Sequence, residues 1–120
     1  MLHHVSIEAS DLDRTGAFYD ATLAALGWRR HADSDRGVGW GIQKPVFFVY
    51  PNEAARPGSG HVCFSASGIP AVKAAWEAGI EAGGTDDGKP GSRPQYGSGY
   101  YSAYLLDPDG HRVEIAVSPQ

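Results

Sequence analysis

The sequence predicts an α+β fold: two tandem βαβββ modules forming a cupped mixed sheet with helices on the outer face. Three observations lead there. Residues 4–27 laid on residues 61–84 at a constant offset of 57 are identical at eight of 24 positions without a gap, where common-residue usage gives about two. Each copy opens with alternating apolar and polar residues, the period of a half-buried strand, and continues into a segment with the apolar spacing of a helix. The 120 residues fit one domain and are short for two independent ones. A single domain over 1–120 therefore divides into module one, about 1–56, and module two, about 60–117.

The elements follow in chain order. Val5, Ile7 and Ala9 alternate with His4, Ser6 and Glu8, which makes a first strand with one buried face. Ser10 offers a helix N-cap with Asp13 three residues on, and Leu12, Phe18, Tyr19, Leu23 and Leu26 form an apolar stripe closed by Gly27. Strands are predicted over 38–43 and 46–50. The glycine- and proline-rich segment 52–60 then reads as a linker. In the second copy Val62, Phe64 and Ala66 alternate with His61, Cys63 and Ser65. Pro70 sits where a first helical turn tolerates it, Ile69, Val72, Trp76 and Ile80 form the stripe, and Gly83 and Gly84 end it. Segment 85–99, TDDGKPGSRPQYGSG, reads as a lid or binding loop. Strands over 100–106 and 112–117 close the chain, joined by the turn Asp107-Pro108-Asp109-Gly110.

Composition narrows the partners. Fourteen acidic against ten basic residues give a net charge of −4, with no basic cluster, which argues against a nucleic-acid or anionic-membrane partner. No apolar run approaches the roughly 18 residues of a membrane span, and the first residues lack a basic stretch leading into an apolar one. The single cysteine, Cys63, precludes an intrachain disulfide. The expectation is a cytoplasmic protein acting on a small molecule.

Three stretches, HHVSIEASDLDRTGAFYDATLAALG, GHVCFSASG and YLLDPDGHRVEI, resemble the vicinal oxygen chelate superfamily of glyoxalase, bleomycin-resistance and extradiol dioxygenase proteins over nearly the whole chain. The resemblance implies a metal site formed by His4, His61 and Glu114. Alternation is consistent with it, because each of the three lies opposite an apolar row and can point away from the helices. Two imidazoles and a carboxylate with open coordination positions suit a divalent metal such as Mn, Fe, Zn or Ni. Placing 46–48 on 113–115 puts Phe47 where four-ligand glyoxalases carry a carboxylate that also serves as a base. Classical lactoylglutathione lyase activity is therefore not expected. The remaining trio is similar to that of fosfomycin-resistance thiol transferases and of dioxygenases.

Around this trio, the resemblance implies a substrate cavity. Ser6 shares the face of His4, where fosfomycin-resistance proteins carry a substrate-contacting threonine. Cys63 would form part of the wall, with Tyr100, Ser102 and Tyr104 on the Glu114 face and Tyr101, Ala103 and Leu105 toward the helices. Trp40 and Phe47 would give an aromatic floor, and Arg93 an anion contact. His3, His31 and His111 read as packing, surface or turn residues. Two function classes follow: a metal-dependent enzyme whose substrate chelates the metal through adjacent oxygens, and a metal-free protein that binds a small molecule in the same cup. Open sheet edges predict a homodimer.

Overall fold

Strand, helix and three further strands follow one another twice in the computed structural model, which describes residues 1–119. Module one comprises β1 (Val5–Ala9), α1 (Leu12–Ala24), β2 (Arg29–Ser34), β3 (Gly37–Gly41) and β4 (Phe47–Pro51). Module two comprises β5 (His61–Ser65), α2 (Ile69–Glu81), β6 (Thr85–Ser92), β7 (Tyr101–Leu106) and β8 (Arg112–Val117). The 57-residue offset of the sequence repeat carries α1 onto α2 residue for residue.

Each module is one four-stranded mixed sheet, ordered β1-β4-β3-β2 and β5-β8-β7-β6. The crossover helix returns the chain so that the first strand pairs in parallel with the last, while the other neighbours are antiparallel. The edge strands β1 and β5 lie alongside each other without ladder bonds, and two cavities of about 230 and 490 Å³ run along their seam. The helices pack on the opposite side of the sheets and against each other. A Cβ added at Gly79 of α2 would come within 2.6 Å of Leu105 Cδ1 and 2.8 Å of Thr22 Oγ1, so any larger residue would force these buried side chains to shift. The core between helices and sheets holds Phe18, Tyr19 and Leu23 of α1, Val72 and Ala75 of α2, and Val49, Phe64, Val113 and Ile115 of the strands.

Three local expectations are corrected. The N-cap of α1 is Asp11, whose Oδ1 accepts from the Arg14 amide at 3.1 Å. Ser10 instead gives its amide and hydroxyl to Asp109 of the other module. Segment 85–99 is not a free loop: 85–92 forms the edge strand β6, paired with β7 through two register shifts about Gly88, and Pro94–Tyr96 makes a single 3-10 turn. Residues 29–34 form a further edge strand that the apolar pattern did not reveal.

The Asp107-Pro108-Asp109-Gly110 turn is also a clasp between modules. Asp107, 3% exposed, accepts the Tyr19 hydroxyl at 2.8 Å and the amides of Asp109 and His111. His111 Nε2 donates to the Glu8 carbonyl at 3.0 Å. Burial raises the carboxyl of Asp107, and burial together with Asp107 raises the phenol of Tyr19. A Tyr19→Phe substitution removes one donor from a buried carboxyl and should lower unfolding stability by about 1–3 kcal/mol, read by denaturant titration.

Candidate metal and substrate site

The open face of module two, turned away from α2, brings His61, Cys63, Tyr100, Tyr104 and Glu114 together. Strand alternation sends Val62 and Phe64 of β5 toward the core and leaves His61 and Cys63 on the other face. On β8 the neighbour of Cys63 is Glu114, and on β7 the residue facing Glu114 is Tyr104. Glu114 is 3% exposed. Its Oε1 accepts from His61 Nε2 at 2.9 Å, and its Oε2 accepts the Tyr100 hydroxyl at 2.7 Å. Burial alone would push this carboxyl up, but donors led by Tyr100 and His61 outweigh it and hold the group below its ordinary value. Tyr100 is raised in turn, first by its bond to Glu114 and then by burial. The Cys63 thiol is pushed up to about 12 by burial and by Glu114, which disfavours the nucleophilic thiolate. The fully buried Ser102 hydroxyl, on the same face, has no hydrogen-bond partner among the described residues.

Module one presents a different surface at the matching place. His4, just before β1, sits edge-on to Phe48 at 5.6 Å between ring centres, with its Nδ1 2.9 Å from His3 Nδ1. Ser6 is exposed on the same face. Register pairs Ser6 with Phe48 as it pairs Cys63 with Glu114, so Phe48, not Phe47, occupies the position equivalent to Glu114. The direct sequence superposition is displaced by one residue here, and one residue reverses the face in a strand. The expected aromatic floor is corrected accordingly. Trp40 and Phe47 belong to the helix-facing row, 0% and 2% exposed, packed on Tyr19. The Trp40 indole N–H donates to Asp20 at 2.9 Å. The aromatic residues on the open face are Phe48 and Tyr50, stacked with ring centres 6.1 Å apart. Gly37 and Gly39 beneath them leave the room, since a Cβ at either would lie 2.8 Å from the Tyr50 or Phe48 ring.

These residues were missed, yet a signal existed. In GVGWG the glycines alternate with Val38 and Trp40. The bulky residues therefore share one face, and the bare one is opposite.

The donor set of module two fits a divalent ion in part. An imidazole and a carboxylate are ligand types for such an ion, and here His61 Nε2 and Glu114 Oε1 meet directly in a hydrogen bond of 2.9 Å. Tyr100 fixes the remaining carboxylate oxygen, as partners of metal ligands commonly do. The third member is not brought in: among the described residues no group of three or more His, Cys, Asp and Glu side chains is placed to hold a metal. Within one chain His61 and Glu114 converge, and His4 stays with His3 and Phe48. Arg93, just after β6, lies over the Tyr104 ring at 5.8 Å.

The chain matches the family model described as Glyoxalase/Bleomycin resistance protein/Dioxygenase superfamily over residues 1–115. No curated protein matches it. Among solved structures it is similar to a glyoxalase/bleomycin resistance protein from Albidiferax ferrireducens T118, with 30% identity, TM-score 0.85, and 97% of each chain covered. The fold is also that of the fosfomycin resistance protein FosX from Listeria monocytogenes complexed with Mn(II) and 1S,2S-dihydroxypropylphosphonic acid, at 18% identity and TM-score 0.72, covering 99% of this chain and 90% of that one. Lactoylglutathione lyase from Agrobacterium tumefaciens shares it at 21% identity and TM-score 0.65, covering 94% and 90%. No described helix is long and apolar enough to cross a membrane. By the extent of the family match and the likeness to the Albidiferax protein, the chain belongs to the glyoxalase/bleomycin resistance/dioxygenase superfamily.

Proposed function

We propose that the protein is a divalent-metal-dependent enzyme acting on a small molecule that presents two adjacent oxygens. In this reading His61 and Glu114 hold the metal, and His4 of a second copy completes the site in a homodimer. The observation that carries it is the buried Glu114 carboxylate, hydrogen-bonded by His61 on one oxygen and tied back by Tyr100 on the other. Bound there, Mn, Fe, Zn or Ni supplies Lewis acidity toward the substrate oxygens. Tyr100 fixes the orientation of Glu114, Tyr104 walls the site, and Cys63 stays neutral beside it. Phe48 at the position matching Glu114 provides no carboxylate to move a proton between adjacent carbons. Turnover of the glutathione hemithioacetal of methylglyoxal should accordingly fall far below the rates of about 1–1000 per second typical of enzymes, as measured by product absorbance.

Complementation tests the shared site. Chains carrying His4→Ala and His61→Ala should each lose metal binding by calorimetry. Refolded together, they should regain it, because one of the two sites in a mixed dimer has all three ligands. Mixed dimers that bind no metal would contradict the sharing, and so would a monomeric mass by light scattering.

A second reading, a metal-free small-molecule binder, is favoured by the stacked Phe48 and Tyr50 on the open face of module one. It predicts that wild-type protein takes up no metal.

A further inference from the structure

Beside the His61–Glu114 pair is a second, positively charged pocket of about 310 Å³, floored by the ring of Tyr104. Two guanidinium groups lie over that ring, Arg112 with its Cζ 4.4 Å and Arg93 with its Cζ 5.8 Å from the ring centre. An aromatic face attracts and orients a guanidinium plane. Each arginine is also anchored at one end: Arg112 Nε donates to Asp87 at 2.7 Å, and Arg93 Nη2 donates to the Lys89 carbonyl at 2.8 Å. Gly88 and Gly91 flank Arg93 closely enough that a Cβ at either would stand 3.4 Å from it. Among the described residues, the anchoring leaves both terminal nitrogens of Arg112 and the Nη1 of Arg93 free of hydrogen bonds. In a protein of net charge −4, two fixed guanidiniums facing one cavity stand out.

We propose that this pocket binds a carboxylate carried by the substrate, so that the substrate class is a small monoanionic carboxylic acid. Planar N–H pairs match a carboxylate in a bidentate fashion. Charge matches a monoanion: two guanidiniums less the Asp87 carboxylate leave one positive charge, which a monoanion neutralises, whereas a dianion leaves the pocket negative beside the Glu114 carboxylate just beyond Tyr104. Distance sets the length of the substrate. Arg112 and Glu114 share a face of β8 two residues apart, about 7 Å along a strand. The edge of the His61 ring meets the same Tyr104 ring at 5.8 Å. A molecule with its carboxylate over Tyr104 therefore reaches His61 and Glu114 with groups a few bonds away. The assignment rests on the function proposed above only for what happens at that far end.

The test uses chelator-treated full-length protein, so that anion binding is read without metal. Benzoate, neutral benzamide and dianionic phenyl phosphate are titrated at pH 8 while the side-chain N–H signals of the arginines are followed by ¹⁵N NMR. Benzoate should shift Arg93 and Arg112, bind more tightly than benzamide, and bind at least as tightly as phenyl phosphate. Arg93→Gln and Arg112→Gln should each weaken it about tenfold, with Arg93→Lys in between, while Arg29→Gln, on an exposed arginine elsewhere, leaves it unchanged. Equal binding of benzoate and benzamide, tighter phenyl phosphate, or unchanged affinity in both glutamine variants would overturn the proposal. Benzoate binding should also survive His61→Ala. A protein that binds benzoate and never metal would thus refute the enzyme reading alone, and one that binds metal but not benzoate would refute this one alone.

Discussion

Replacing His61 by alanine is expected to lower divalent-metal affinity by more than about a hundredfold while the fold stays intact. Even partners that only orient a ligand are worth about 10- to 100-fold in affinity, and His61 is one of the two donors that converge here. Its side chain is 36% exposed on an edge strand, so its removal opens little of the core. Glu114 loses one donor and keeps Tyr100 on its other oxygen, a cost of about 1 kcal/mol. Calorimetric metal titration and thermal unfolding on the same preparation separate the two effects. An unfolded His61→Ala protein, or one that binds metal like the wild type, would reduce the His61–Glu114 pair to a structural hydrogen bond.

The second large effect is a contrast between adjacent residues. Phe47→Ala should destabilise the domain by about 3–5 kcal/mol, as expected for emptying a packed aromatic site, whereas Phe48→Ala should cost far less. Phe47 is 2% exposed and meets Tyr19, Trp40 and Phe64, tying the cores of both modules together. Phe48 lies on the open face against His4 and Tyr50. Small-molecule binding should respond in the opposite order. Equilibrium denaturation of the two variants decides it, and a larger loss for Phe48→Ala would return Phe47 to the open face.

Much of this architecture is legible in the residues themselves. The gapless repeat places both first strands and both helices because strand, turn and helix keep the same length in each copy. It fails where the copies diverge in length, after the helices, and so the superposition of β4 on β8 slipped by one and exchanged Phe47 for Phe48. The two unrecognised strands, RRHADS and TDDGKPGS, are sheet edges with a neighbour on one side only. They carry polar residues, glycine and proline because they have little to bury, so no apolar alternation announces them. The Tyr104 side of the site was visible as strand alternation, and Arg93 as a lone cation. Arg112 as its companion was not, since an arginine two residues before Glu114 gives no sign of the Tyr104 ring that gathers both cations.

Whether His61 and Glu114 are metal ligands is decided by the metal content of protein purified without chelator or histidine tag. Elemental analysis follows before and after equilibration with Mn(II), Fe(II), Zn(II) or Ni(II) and removal of free ion. One ion should be retained per chain for at least one of these metals, and none in a Glu114→Ala variant that still folds. Wild-type protein that retains no ion under any of the four conditions would contradict the ligand assignment.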